Sequence, residues 1–133
     1  TGKTQLAKCV LTSVKKSDNI ALFLTSTDLN SIFTKMHTSE IDRSLILEVL
    51  CGADLLFIDD LGTEPIFKNV TIEYLLSLIS YRIDNGKHTI VTTNLTDKEL
   101  QSRYNERLSS RLLDTSKSFF IPFYSNDFRK FRK

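Results

Sequence analysis

An α/β fold with a mostly parallel sheet is the architecture that the sequence predicts. Short apolar runs alternate along the 133 residues with segments whose apolar positions recur at helical spacing. Strands separated by helices in this way are typical of parallel sheets covered by helices. The expected strands are 19–25, 55–58, 89–93 and 118–123. The expected helices are 5–16, 29–37, 40–51, a long one from residue 69 or 71 to about 84, 97–104 and 106–113.

Each element has a local justification. Residues 20–24 and 55–58 are uninterrupted apolar runs, the pattern of strands buried on both faces. Asn69 or Thr71 is the expected cap of the long helix, and Asn85-Gly86 ends it. Thr96 and Glu99 have the spacing of a capping box for the helix that follows. The turn residues at 61–65 separate the second strand from the long helix.

Composition limits the function classes. A mass of 15.3 kDa allows one domain, 1–133, and a net charge of +2 excludes a strongly basic nucleic-acid coat protein. The longest apolar stretches are far shorter than the roughly 20 residues of a membrane span. Two cysteines and two histidines, widely spaced, exclude a disulfide framework, a zinc ribbon and a His-rich metal site. We therefore expect a cytoplasmic protein without a membrane partner.

The first four residues, Thr1, Gly2, Lys3 and Thr4, match the second half of a phosphate-binding loop, G-x-x-x-x-G-K-[ST]. In such a loop the start of a helix and the lysine bind the phosphates, and the threonine hydroxyl is a Mg²⁺ ligand. The chain has no initiator Met, so we expect a fragment that begins inside this motif. A tripeptide match of this kind also arises by chance.

Asp59 and Asp60 follow the apolar run 55–58. Carboxylates at the end of a buried strand are suited to hold the hydration shell of Mg²⁺, the expected role of Asp59, and to polarise a water, the expected role of Asp60. Two aspartates that only begin a turn are the plainer alternative. Together with the Gly-Lys-Thr segment, they favour a P-loop NTPase.

Asn94 ends the next expected strand and is the candidate for contacting both the γ-phosphate and the attacking water. A cap for the helix near Thr96 is the alternative. Arg107 and Arg111 lie four residues apart on one helical face, where an arginine offered to a neighbouring subunit would stabilise transition-state charge. Pairing with nearby acids or solvent explains them equally well. Arg129 is either a nucleotide contact or part of a solvated basic end.

Four segments together resemble the bacterial replicative helicase loaders of the DnaC/DnaI kind. They are DLLFIDDLGTEP at 54–65, TTNL at 92–95, YNERLSSRL at 104–112 and NDFR at 126–129. The chain is also similar to transposase-helper ATPases of the IstB kind, and both groups are AAA+ ATPases. The resemblance implies a three-layer P-loop NTPase core that binds ATP and Mg²⁺.

The resemblance also implies roles for single residues. The end of Walker A is formed by Gly2, Lys3 and Thr4, with Thr1 before them, and Walker B by Asp59 and Asp60. Sensor 1 is Asn94 and sensor 2 is Arg129. The arginine finger acting in trans is Arg111, with Arg107 beside it. Segment 29–51 occupies the place of a helical element associated with single-stranded DNA, where Lys35 and Arg43 are the available cations.

Two departures from the family pattern matter. Many AAA+ proteins have Glu where this chain has Asp60, and catalytic geometry is sensitive at the ~1 Å level, so we expect slow, regulated hydrolysis. The family sheet has the order 5-1-4-3-2, and its first strand precedes the P-loop. We expect this fragment to lack that central strand, and we therefore expect either a gap or a collapsed substitute between strands 89–93 and 118–123.

These features predict the ATPase core of a loader that places a replicative DNA helicase on DNA, contacts single-stranded DNA and self-associates through its arginine-finger interface. Three alternatives stay open. One is an IstB-like helper with a transposase partner, and one is a nucleotide-gated interaction module with little turnover. A small-molecule P-loop kinase is the third, and it is disfavoured because nothing resembles an acceptor-binding lid.

Overall fold

The structure, a computed structural model, describes residues 19–114. Three strands and five helices alternate there: β1 (Ala21–Thr25), α1 (Ser26–His37), α2 (Arg43–Gly52), β2 (Leu55–Leu61), α3 (Thr71–Asp84), β3 (His88–Thr93), α4 (Asp97–Arg103) and α5 (Glu106–Leu113). This order confirms the α/β prediction. The expected helix 5–16, the expected strand 118–123 and the expected gap beside it lie outside the described residues.

Within residues 19–114 the sheet is parallel throughout, in the order β1-β2-β3. The register pairs Leu22 with Leu56 and Leu56 with Thr89. The central strand β2 is the most buried, and Leu56 and Ile58 have no exposed surface. Strand β1 is half-buried along its whole length, not buried on both faces as its apolar run predicts. It is an edge strand of the described sheet, so it has less cover than β2.

The main core lies between the sheet and the helices α1 and α3. Buried apolar side chains of α1, β2 and α3 form it: Leu29, Phe33, Met36, Leu56, Ile58, Leu75, Leu78 and Ile79. Within α1 and α3 these residues recur at intervals of three or four, which places them on one face of each helix, toward the sheet. A smaller cluster around Leu55 and Phe57 lies on the other side of the sheet. No helix within residues 19–114 is long and apolar enough to cross a membrane.

Side-chain caps set several helix starts. The predicted capping box of α4 is present, with Thr96 accepting from the Glu99 N–H and Glu99 accepting from the Thr96 N–H. The predicted cap of α3 is wrong, because Val70 occupies the cap position without a side-chain bond. The Thr71 hydroxyl instead accepts from the Phe67 N–H at 2.9 Å and donates to Asn30 Oδ1 at 2.7 Å. It connects α3 to α1.

Arg82 of α3 lies fully buried at the amino end of the sheet. Its guanidinium donates to the carbonyls of Leu50 at 2.6 Å and His88 at 2.7 Å, and to the Thr89 hydroxyl at 2.8 Å. Burial lowers the pKa of Arg82, although the guanidinium remains charged because its ordinary value is so high. Arg82 thus joins the end of α2 to the start of β3.

Candidate functional site

The carboxyl ends of the three strands lie at one edge of the sheet. Thr25 at the end of β1 is in register with Asp59 of β2, and Leu61 is in register with Thr93 of β3. Ligands of open parallel sheets bind beyond this edge. Because Asp59 and Asp60 lie near the end of β2 and Asn94 follows β3, the structure brings these three predicted residues to the same edge.

Asp59 is a buried carboxylate with 6% of its surface exposed. Its Oδ1 accepts a hydrogen bond of 2.6 Å from the Thr92 hydroxyl of β3. A buried carboxylate is costly without such partners, so this short bond fixes both the position and the direction of the group.

Asp60 adopts a left-handed backbone with φ of 56°. Such a conformation costs a non-glycine residue about 1–2 kcal/mol, although aspartate tolerates it better than most. Its N–H donates to the Thr92 hydroxyl at 2.9 Å, and its carbonyl accepts from Ser26 at 2.7 Å and Thr63 at 2.9 Å. The expectation that β2 ends before Asp59 is therefore wrong, since the strand bulges here and continues to Leu61.

Asn94 is exposed immediately after β3. The preceding Thr93 holds the turn, because its hydroxyl donates to the Leu61 carbonyl at 2.6 Å and accepts from the Leu95 N–H at 3.1 Å. Gly62 lies against the same turn with φ of +112°, and a Cβ there would lie 2.7 Å from Leu95 Cδ1. The close approach of the two strand ends therefore requires glycine at this position.

A second buried carboxylate, Glu64, lies just past this turn, and only 2% of it is exposed. Its Oε1 accepts from the Gly62 N–H at 2.7 Å and its Oε2 from the Tyr104 hydroxyl at 2.5 Å. Arg103 donates to the Glu64 carbonyl. Burial, followed by the contact with Glu64, raises the pKa of Tyr104 well above its usual range. These contacts join the turn after β2 to the carboxyl end of α4.

The two candidate arginines lie on α5. Arg107 is exposed, and Arg111 forms a 3.1 Å ion pair with Asp84 of α3 in which its side chain is 42% exposed. Within residues 19–114 neither arginine contacts Asp59 or Asp60. Both therefore lie at the surface, away from the two aspartates at the carboxyl edge of the sheet.

The two cations of the expected DNA-associated segment differ in their surroundings. Lys35 is exposed in the last turn of α1. Arg43 donates to the Tyr74 hydroxyl at 2.7 Å, and its guanidinium lies 5.6 Å from the centroid of the Tyr74 ring. Arg43 is thus oriented by an aromatic side chain of α3.

The side chains available as metal ligands at the carboxyl edge, Asp59 and Asp60, offer oxygen atoms. Within residues 19–114 no three His, Cys, Asp or Glu side chains come together as a metal-binding group. Mg²⁺ takes one or two carboxylates and completes its shell with water and substrate phosphates, so Asp59 and Asp60 fit this ion. Thr1, Gly2, Lys3, Thr4 and Arg129 lie outside the described residues, and their roles stay predictions.

Sequence reasoning did not assign the residues that hold the two aspartates and the turn after β2 in place: Ser26, Thr63, Glu64, Thr92, Arg103 and Tyr104. Glu64 and Tyr104 are 40 positions apart, and no local pattern indicates that they meet. Thr92 had one available signal, since it is a polar residue at the carboxyl end of a strand, two positions before Asn94.

Known structures with the same fold include a DNA-replication loader and initiators. The crystal structure of the DnaC helicase loader superposes with a TM-score of 0.70 at 29% identity, over 85% of this chain and 68% of that one. This is a DnaC-like AAA+ fold. AMPPCP-bound DnaA from Aquifex aeolicus has a TM-score of 0.69 at 21% identity, and DnaA bound to AMPPCP and single-stranded DNA has one of 0.67 at 21% identity.

The likeness to DnaA concerns the fold alone. It covers 84% of this chain but only 34% of either DnaA chain, so the chain spans about a third of their length. No protein-family model matches the sequence, and no curated protein matches it. The DnaC-like AAA+ fold is that of a P-loop NTPase, and it confirms the fold class expected from the sequence.

Proposed function

We propose that this chain is the ATPase core of a DNA-replication protein that loads a replicative helicase onto DNA. The observation that supports it is the pairing of Asp59 and Asp60 through Thr92 at the carboxyl edge of a DnaC-like sheet. This edge is where AAA+ proteins are expected to bind nucleotide, and two of the similar structures hold the ATP analogue AMPPCP.

In this proposal ATP lies beyond the ends of β2 and β3. Lys3 and Arg129 bind phosphates, while Thr4 and Asp59 hold Mg²⁺, which neutralises phosphate charge when bound. Asp60 and Asn94 orient the water that attacks the γ-phosphorus as the bond to the β-phosphate oxygen breaks. The buried position of Asp59 supports its role, because a carboxylate fixed before the ligand binds needs little reorganisation.

Slow, regulated turnover is part of the proposal. Asp60 is one methylene shorter than glutamate, and its backbone is fixed by hydrogen bonds at both the N–H and the carbonyl. The shorter side chain and the fixed backbone therefore limit how far the carboxylate can reach toward a water. A nucleotide-gated module without turnover is the second candidate, and the same short side chain on a fixed backbone favours it.

Partners follow from the same site. We propose that Arg111, with Arg107 beside it, reaches the γ-phosphate of a neighbouring subunit. Arg107 is exposed and Arg111 partly exposed on α5, and within residues 19–114 neither contacts Asp59 or Asp60. We further propose that the α1–α2 segment contacts single-stranded DNA through Lys35 and Arg43. The replicative helicase is the proposed protein partner, on the likeness to the DnaC loader.

ATP hydrolysis by the full-length protein, with and without single-stranded DNA, tests the enzyme. We expect Lys3→Ala to abolish nucleotide binding, and Asp60→Asn and Arg111→Ala to retain binding while turnover falls by about 10³-fold or more for the arginine. Asp97→Asn, which changes an exposed carboxylate on α4, is the matched control and leaves turnover intact. Binding without turnover in the parent protein would favour the gated module.

Helicase loading needs its own test. The transfer of a purified replicative helicase onto circular single-stranded DNA is measured with the parent protein and with Arg111→Ala. We expect ATP-dependent loading by the parent and little by the variant. ATP hydrolysis without any helicase association would overturn the loader assignment and leave the ATPase standing.

A further inference from the structure

The backbone of Asp60 is held in its left-handed conformation by hydroxyl groups from three separate elements. Thr92 of β3 takes its N–H at 2.9 Å, while Ser26 of α1 and Thr63 of the following turn donate to its carbonyl at 2.7 and 2.9 Å. Ser26 and Thr63 also contact each other at 3.2 Å. A residue with φ of 56° persists when its surroundings determine it in this way.

Thr92 has a special position among these hydroxyls because it contacts both carboxylate residues. A hydroxyl has one hydrogen and two lone pairs. The hydrogen goes to Asp59 Oδ1 at 2.6 Å, and a lone pair accepts the Asp60 N–H at 2.9 Å. One side chain on the neighbouring strand therefore sets the place of the Asp59 carboxylate and the backbone of Asp60 together.

The Asp60 carboxylate depends on this arrangement. Among residues 19–114, no side-chain hydrogen bond or ion pair fixes it, so its backbone sets the direction of its Cα–Cβ bond and thereby the region that its rotamers can reach. A change of φ from the left-handed to the right-handed region would turn its Cβ away from its present direction. By accepting the Asp60 N–H, the hydroxyl of Thr92 thus limits the region that the Asp60 carboxylate can reach without touching it.

We propose that Thr92 is a positioning residue that holds Asp59 and Asp60 in the geometry needed for magnesium-dependent nucleotide chemistry, with Ser26 and Thr63 completing the hold from the carbonyl side. This inference rests on the proposed nucleotide site. The positioning role of Thr92 can fail while the proposed nucleotide site stands, and the measurements below distinguish the two outcomes.

The test compares Thr92→Val, which keeps the shape and removes the hydroxyl, with Thr92→Ser, which keeps the hydroxyl. We expect Thr92→Val to lower kcat by about 10–100-fold, since small misplacements cost that much, with the KM for ATP changed by less than about threefold. The Mg²⁺ concentration for half-maximal binding of a fluorescent ATP analogue rises severalfold. Thr92→Ser restores both values.

Thr89→Val is the matched control. It removes a hydroxyl from the opposite end of the same strand, where the partner is Arg82. It lowers stability but leaves kcat and the Mg²⁺ requirement unchanged. Thr63→Ala supplies a second variant should Thr92→Val fold poorly, because it removes an exposed hydroxyl from the Asp60 carbonyl, and it also lowers kcat.

Retention of kcat and of the Mg²⁺ requirement in Thr92→Val and Thr63→Ala would overturn the positioning role while leaving the ATPase intact. A parent protein that binds no ATP overturns the proposed site and this inference together. If the parent binds ATP without turnover, the Mg²⁺ titration still decides the role of Thr92.

Discussion

The two ends of the parallel sheet are held together by different chemistry. At the amino end, the buried guanidinium of Arg82 donates to oxygens of α2 and β3, and within residues 19–114 it is hydrogen-bonded to no carboxylate. At the carboxyl end, Asp59 and Asp60 are held by hydroxyls, and Asp60 has a strained backbone.

This difference indicates that the contacts at the amino end serve stability, whereas those at the carboxyl end serve the candidate site. The carbonyls at the end of α2 carry partial negative charge. The buried cation of Arg82 offsets this charge, so the contacts at the amino end stabilise the fold. The carboxyl end holds a strained residue and a buried anion, and both cost free energy that the fold must supply elsewhere. Such a cost is expected where a ligand is to bind.

Replacement of Arg82 by Met gives the largest expected loss of stability. The carbonyls of Leu50 and His88 lose their donor inside the protein, and each unsatisfied group costs about 1–3 kcal/mol. We expect the free energy of unfolding to fall by about 3–5 kcal/mol in urea denaturation, with nucleotide binding by the folded fraction unchanged. Arg82→Lys recovers only part of the loss. A decrease in the free energy of unfolding of less than about 1 kcal/mol would contradict the stabilising role of the Arg82 hydrogen bonds.

Replacement of Tyr104 by Phe tests the carboxyl end. The variant leaves the buried Glu64 carboxylate without one donor, which costs about 1–3 kcal/mol at neutral pH. Because the pKa of Tyr104 is raised on folding, the folded state retains a proton that the unfolded state loses above about pH 10. The free energy of unfolding of the parent therefore declines as the pH rises through 10.

The decline is at most about 1.4 kcal/mol per pH unit from this one group. It is absent from Tyr104→Phe, so the difference between the two proteins shrinks at high pH. Urea denaturation at several pH values between 8 and 11 measures it. A difference that stays constant with pH would show that Tyr104 titrates normally.

Asp60→Gly gives the smallest change in stability and the opposite sign. Glycine adopts the left-handed backbone without steric cost, so we expect a gain of about 0.5–1 kcal/mol together with loss of ATP turnover. Asp97→Gly, in the helical backbone of α4, is the control and loses about 1 kcal/mol. A clear loss of stability in Asp60→Gly would remove strain as the distinction between the two ends.

The sequence predicted features that depend on local patterns. Helix α5 has the expected bounds of 106–113, and the capping box of α4 is where Thr96 and Glu99 indicate it. The gathering of Asp59, Asp60 and Asn94 at one edge was also predictable, because parallel strands bring their carboxyl ends together.

Other features depend on residues far apart in the chain. Strand β2 passes Asp60 because Ser26 and Thr92, more than 30 positions away on either side, satisfy its backbone. The pairing of Glu64 with Tyr104 has the same character, as the burial of both side chains arises only when α4 packs beside the turn after β2. No periodicity in the sequence records such contacts.

The ion pair between Arg111 and Asp84 has a consequence for assembly. Each side chain is about half exposed, so the pair contributes well under about 1 kcal/mol and weakens in salt. Arg111 is paired with Asp84 in the single chain. If Arg111 binds the phosphate of a neighbouring subunit as proposed, giving up this ion pair would cost little free energy. A weak, partly exposed ion pair of this kind orients Arg111 without preventing it from exchanging Asp84 for another anion.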